Sequence, residues 1–222
     1  MKVNEIFGSI EGEGIRMGYP CTFIRLQQCN LCCSYCDTRY ACEGDDYSDM
    51  NIPNILHRVK EIGNHRVTVT GGEPLLLQTG IELISVLGSE CYDINVETNG
   101  SIDLSNLIDY CQEVFNIDDH LIITMDWKSI SSGMSDKMLK SNLLKLRSCD
   151  VIKFVVGSRE DLDQMKELLQ DYPIECNIFV SPIFGQIELA EIVDYLIENN
   201  IQNVRVQVQL HKIIWDPNKR GV

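Results

Sequence analysis

The chain has 222 residues, 44% of them hydrophobic, with ten cysteines and a formal net charge of −14 at pH 7. Such a surplus of carboxylates repels a phosphate backbone, so no nucleic-acid partner is expected. Every apolar run falls short of the ~20 residues that span a bilayer, and the first residues carry no charged and apolar leader, so the expectation is no membrane and a reducing, cytoplasmic setting. Residues 1–222 are read as a single domain, long enough for a full core and free of repeats or low-complexity tracts.

Val, Ile, Phe and Thr mark strands at 21–27, 65–70, 92–98, 121–126, 150–156, 174–180 and 203–209. Helical spacing of apolar residues lies between them: Ile52, Ile55, Leu56, Val59 and Ile62, then Leu104, Leu107, Ile108 and Cys111, then Ile187, Ala190, Ile192, Val193 and Leu196. Alternation of this kind implies βαβ units and a parallel sheet. The count falls below the eight units of a closed barrel. The predicted fold class is therefore α/β, an incomplete, laterally open (β/α) barrel of about six parallel strands. Polar loops follow the predicted strands, at 29–38, 70–74, 97–100, 126–128, 181–182 and 209–212, and all would face the rim where such folds bind ligands.

Cys29, Cys33 and Cys36 form C-x3-C-x2-C, followed at once by Asp37 and Thr38. Three thiolates can hold three irons of a 4Fe-4S cluster. The fourth iron, left open, can chelate the amino and carboxylate groups of S-adenosylmethionine and pass it one electron, which generates a 5′-deoxyadenosyl radical. Chemistry of that kind belongs to the cofactor, with the protein supplying position and shielding. A zinc site is the rival reading of the Cys33/Cys36 pair, but a second pair is lacking, and Cys42, Cys91, Cys111, Cys149 and Cys176 stand singly. Disulfides would require an oxidising compartment. Cys32 and Cys42 are read as bystanders.

Further along the chain, Thr70-Gly71-Gly72-Glu73-Pro74 offers two glycines for a close backbone approach and a carboxylate able to accept from an ammonium group; its plain alternative is a strand-to-helix turn. Glu97-Thr98-Asn99-Gly100 is either a turn or a set of ribose-binding groups. Arg25, Lys128, His211, Lys212 and Arg220 stand on or after strands or near the chain end, where a guanidinium fork suits a carboxylate. Lys212 and Lys219 are read as solvated charge. Thr38 could ligate magnesium, which prefers oxygen, or cap a turn.

These motifs resemble the 7-carboxy-7-deazaguanine synthase family, radical S-adenosylmethionine enzymes of the 7-deazapurine (queuosine) pathway. The likeness runs through FGSIEGEG, CNLCCSYCDT, TGGEP, ETNG, Asp126-x-Lys128, Ser181-Pro182 and the tail QVQLHKIIWDPNKRGV. It implies conversion of 6-carboxy-5,6,7,8-tetrahydropterin to 7-carboxy-7-deazaguanine with loss of ammonia, the radical doing the chemistry and no side chain acting as catalyst. By the same resemblance Cys29, Cys33 and Cys36 hold the cluster and Thr38 holds Mg2+. Ile10, Glu11, Gly12, Arg25, Thr70, His211 and the terminal carboxylate of Val222 hold the substrate, the tail at 205–222 contributing the last two. Tyr35, Cys36, Asp37, Gly72, Glu73, Glu97, Asn99, Asp126, Trp127, Lys128, Ser181, Pro182, Ile183 and Phe184 hold S-adenosylmethionine. A flavodoxin- or ferredoxin-like electron donor and a homodimer are also implied. The chain departs from the family at Glu11 (often glutamine), Gln28 (usually glycine), Cys32 (often arginine) and Val222 (proline in some members). An activating enzyme that makes a glycyl radical on a partner protein is the alternative function.

Overall fold

The structure, a computed structural model, describes residues 1–217 and 219–222; Asn218, within the expected tail, lies outside the described residues. A hairpin opens the chain, pairing β1 (Lys2–Ile10) with β2 (Pro20–Leu26), and a two-residue β3 (Ser48–Asp49) adds to the far side of β1. Six more strands follow: β4 (Arg66–Gly71), β5 (Asp93–Thr98), β6 (Leu121–Lys128), β7 (Val151–Val156), β8 (Asn177–Pro182) and β9 (Val204–Val206). From β2 onward every neighbouring pair is parallel. The order β3-β1-β2-β4-β5-β6-β7-β8-β9 leaves β3 and β9 as edges, so the sheet is an open partial barrel.

Helices α1 (Arg39–Cys42), α2 (Ile52–Ile62), α3 (Gln78–Ser89), α4 (Ser105–Gln112), α5 (Ile117–His120), α6 (Arg159–Asp171), α7 (Leu189–Glu198) and α8 (Leu210–Ile214) fill the connections. Local chemistry sets several boundaries. The Asn51 side chain accepts from the Asn54 amide at the start of α2, and Gly63, in the left-handed region, ends it. Ser158 caps α6 by accepting from the Asp161 amide. Alternate strand residues, among them Ile24, Val67, Val69, Ile94, Val96, Ile123, Met125, Ile152 and Phe154, are buried with Ile55, Val59, Ile84, Leu87, Leu107, Leu162 and Met165 of the helices. Each such side chain contributes about 1.5–3 kcal/mol by leaving water. No helix among the described residues is long and apolar enough to cross a membrane.

Three features differ from the sequence expectation. Strand β1 was not predicted, because KVNEIFGSI buries Val3 alone; Phe7 instead stacks on Phe23 at 5.2 Å between ring centroids. Where a helix was expected between β6 and β7, three 3-10 turns stand at Ile130–Ser132, Ser135–Lys137 and Lys140–Leu144. The last strand stops at Val206 rather than 209: the Gln207 amide still donates to the Val180 carbonyl at 2.9 Å, while its side chain accepts from the Gly14 amide at 2.7 Å and approaches Ser181.

Candidate active site

Parallel pairing puts residues in register on the same face of the sheet, and the register joins Arg25 with Thr70, Glu97 with Thr124, Asp126 with Lys153 and Val155 with Ser181. Apart from Val155, these inner-face residues are polar, and most of their chain neighbours are apolar. All of them except Thr124 line a cleft of about 620 Å³, which the cysteine loop and the tail complete.

Lys153 is the hub of its charges. It is 7% exposed and reaches Glu13 at 2.7 Å and Asp126 at 2.9 Å, while Lys128 holds the other Asp126 oxygen at 3.1 Å. Burial works against the charged form of both lysines, but the facing carboxylates outweigh it and raise both above the usual lysine range. Burial likewise pushes Asp126 up, and Lys128 and Lys153 overcome it, so Asp126 stays ionised. Glu97 is raised by burial, which outweighs the pull of Lys153 and a hydrogen bond from Thr70.

The cysteine loop leaves β2 through Gln28, whose φ of 85° is left-handed. There the Gln28 amide donates to the Ala41 carbonyl, and the Gln28 carbonyl accepts from the Glu73 amide, both at 2.8 Å. Gly71 and Gly72 make this junction possible. A Cβ on Gly72 would lie 2.0 Å from the Gln28 oxygen, and one on Gly71 2.1 Å from the Leu26 oxygen. The close approach expected of these glycines is thus to the chain's own cluster loop. From the far side, Ser34 bonds to the carbonyls of Ser131 and Ser132, so the 3-10 segment braces the loop.

Within the loop, Cys29 and Cys36 both bond to Cys42, which pulls their thiols down to about 6 and raises that of Cys42. Thiolate is the metal-binding form. No three His, Cys, Asp or Glu side chains among the described residues converge on a point that could hold a single ion. A cluster, taking one thiolate per iron, matches three thiols dispersed along one loop. Tyr35 lines the same cleft with its hydroxyl buried and unpartnered, and Thr38 begins α1 without its side chain capping the helix. Donors aimed into the space beside the thiols therefore fit a bound cofactor.

At the opposite wall, the Arg25 Nε is fixed by Glu5 at 2.7 Å, and Glu5 also accepts from the Tyr40 hydroxyl. Glu11 is 2% exposed and accepts from the Thr68 hydroxyl; burial, then repulsion from Glu97, lifts its carboxyl to about 7. The tail closes over this wall. Leu210 donates to the Gly12 carbonyl at 3.0 Å, and the His211 ring lies against Gly12, where a Cβ would come within 2.1 Å of Nδ1. Lys212, read from sequence as solvated, is instead ion-paired with Asp37 at 3.0 Å and sits above the Phe184 ring.

Ile10, Glu11, Gly12, Arg25, Cys29, Cys33, Tyr35, Cys36, Asp37, Thr38, Thr70, Gly72, Glu97, Asn99, Asp126, Lys128, Ser181, Pro182, Ile183, Phe184, His211 and Val222 all line the cleft. Two expected residues have side chains elsewhere. Glu73 is buried and spends its oxygens on the Leu75 amide, the Thr98 hydroxyl and the Asn99 amide, bracing two rim loops. Trp127 alternates to the outer face and packs near Phe154. Sequence reasoning missed Lys153, Glu13 and Gln207. A lysine amid the apolar residues of DVIKFVV was the available signal for the first.

Residues 23–126 match the model of the radical SAM superfamily. The 7-carboxy-7-deazaguanine synthase of Clostridium acetobutylicum is 43% identical, over 100% of this chain and 99% of that one. The chain belongs to the 7-carboxy-7-deazaguanine synthase family. Another 7-carboxy-7-deazaguanine synthase, from Methanospirillum hungatei, is 38% identical over 98% of this chain and 86% of its own length. The fold is shared with the crystal structure of QueE from Escherichia coli, at a TM-score of 0.72 and 23% identity, covering 94% of this chain and 93% of that one. As in the radical SAM superfamily generally, a 4Fe-4S cluster and S-adenosylmethionine are the cofactors, and the three-thiol loop, with the donors around it, is what this 7-carboxy-7-deazaguanine synthase family member offers them.

Proposed function

We infer that the chain is a lyase that converts 6-carboxy-5,6,7,8-tetrahydropterin to 7-carboxy-7-deazaguanine with release of ammonia. The observation that carries this reading is the opening of a three-thiol loop and a charge-paired sheet face into one cleft of about 620 Å³, a size that suits small ligands. When bound, the cluster supplies an electron to S-adenosylmethionine, whose radical chemistry acts on the substrate.

The chain's residues position and shield. With Nε tied to Glu5, the Arg25 guanidinium is oriented to offer its Nη groups to the substrate carboxylate. Ile10, Glu11, Gly12 and Thr70 supply donors and acceptors for the amide and amino edge of a pterin. His211 and Val222 close that side. Cys29, Cys33 and Cys36 hold the cluster, and the Thr38 hydroxyl, 3.8 Å from the Cys36 sulfur, is an oxygen ligand for Mg2+ beside the substrate carboxylate. Tyr35, Asp37, Gly72, Glu97, Asn99, Asp126, Lys128 and the 181–184 loop hold S-adenosylmethionine, Glu73 and Trp127 acting through backbone and bracing. Residues 1–222 work as one catalytic domain in a cytoplasmic homodimer, reduced by a flavodoxin- or ferredoxin-like donor, with no nucleic-acid or membrane partner.

Product analysis tests the reading. Anaerobically reconstituted protein, given dithionite, S-adenosylmethionine, Mg2+ and carboxytetrahydropterin, is expected to yield the deazaguanine acid and ammonia. Release of deoxyadenosine without that acid would overturn it.

A further inference from the structure

Cys42 is a fifth thiol, beside the four of the cluster loop, and is unused by the reading above. Its Sγ lies 3.9 Å from that of Cys36 and 3.7 Å from the Thr38 carbonyl oxygen, to which it donates. The fold holds it there. Ala41 donates to Thr38 at 2.8 Å within α1, and the Ala41 carbonyl accepts from Gln28 at the root of the loop. Both cysteines are partly exposed and line the cleft, within reach of small solutes. Bringing the sulfurs to the ~2.05 Å of a disulfide closes a gap of under ~2 Å, and the loop between positions 36 and 42 is short, so little chain entropy opposes closure.

We propose that Cys36 and Cys42 form a reversible disulfide in the cluster-free protein, a modification that shuts the cluster loop against metal until a thiol reductant reopens it. The oxidant is a low-molecular-weight disulfide. Its sulfur is attacked by the Cys36 thiolate, which forms a mixed disulfide and releases one thiol; the Cys42 thiolate then attacks the Cys36 sulfur and releases the second. Two protein thiols are oxidised and one small disulfide is reduced to two thiols. Only the consequence for metal rests on Cys36 being a cluster ligand.

Trypsin separates the partners, because Arg39 divides peptide 26–39, with Cys29, Cys32, Cys33 and Cys36, from peptide 40–58, with Cys42, and fragmentation and the Cys36→Ser variant assign the linked sulfur within the first. Cluster-free full-length protein is treated with oxidised glutathione, alkylated and digested for mass spectrometry, and its capacity for iron and sulfide is measured before and after dithiothreitol. The expected result is a linked 26–39/40–58 pair, absent from Cys36→Ser and Cys42→Ser proteins, with loading lost on oxidation and fully restored by reductant. Cys42→Ser protein would instead keep a glutathione adduct in peptide 26–39. A linked pair that survives in Cys36→Ser, or a peptide 40–58 with Cys42 alkylated in the oxidised wild type, would overturn the proposal. Failure of the enzyme reading would appear separately, as reduced, fully loaded protein that makes no deazaguanine acid.

Discussion

Lys153 and Phe154 are neighbours on β7, yet they occupy different environments. Phe154 is wholly buried under the helices, whereas Lys153 turns inward to Glu13 and Asp126. Asp126, Trp127 and Lys128 repeat the contrast on β6. One face of the sheet is held by apolar burial and the other by paired charges around a cleft. Loss on the outer face should cost stability alone, and loss on the inner face should cost function first.

The sharpest separation is expected from Cys36→Ala, which removes a cluster ligand that only skirts the core from a partly exposed position. Iron and sulfide content after anaerobic reconstitution should collapse and turnover vanish, while urea unfolding of the cluster-free protein stays as in the wild type. Lys153→Met and Phe154→Ala come next. Each should destabilise by about 3–5 kcal/mol, the first by stranding buried carboxylates and the second by opening a cavity. Only Lys153→Met should also lower turnover of the folded protein, by roughly a hundredfold. Equal turnover in the two variants would erase the distinction between faces.

A smaller effect should follow from pH. The Glu11 carboxyl, ordinarily near 4.5, is lifted to about 7 in the folded chain, chiefly by burial. Below about 4.5 it is protonated folded or unfolded; as pH rises toward 7 the unfolded chain loses its proton first, so stability drains by up to about 3 kcal/mol. Glu11→Gln has no such proton, and its unfolding free energy should vary less between pH 4.5 and 8. An unchanged pH dependence would place the shift elsewhere. The least effect is expected for Gln28→Gly, which relieves a left-handed φ and should stabilise by about 1 kcal/mol in thermal unfolding.

How far the sequence could be read follows the same division. The outer face was legible because β-branched runs such as VTV at 67–69 and helical spacing such as Ile55/Val59 report burial directly. Cysteine spacing and the motifs of the rim loops were legible because they are contiguous. Strand β1 escaped because its inner and outer residues are both mixed, and the Glu13–Lys153 pair because 140 positions separate its members. The role of Gly71 and Gly72 was only half visible: closeness was readable, but the partner, the backbone of the cluster loop, required the fold.

The central claim is that three loop thiolates leave one iron free for S-adenosylmethionine. It is tested most directly by electron-nuclear double resonance on the reduced, reconstituted protein with S-adenosylmethionine carrying 15N at its amino group. A 15N coupling to the cluster is the expected result. A cluster signal with no such coupling, unchanged by adding S-adenosylmethionine, would contradict the account.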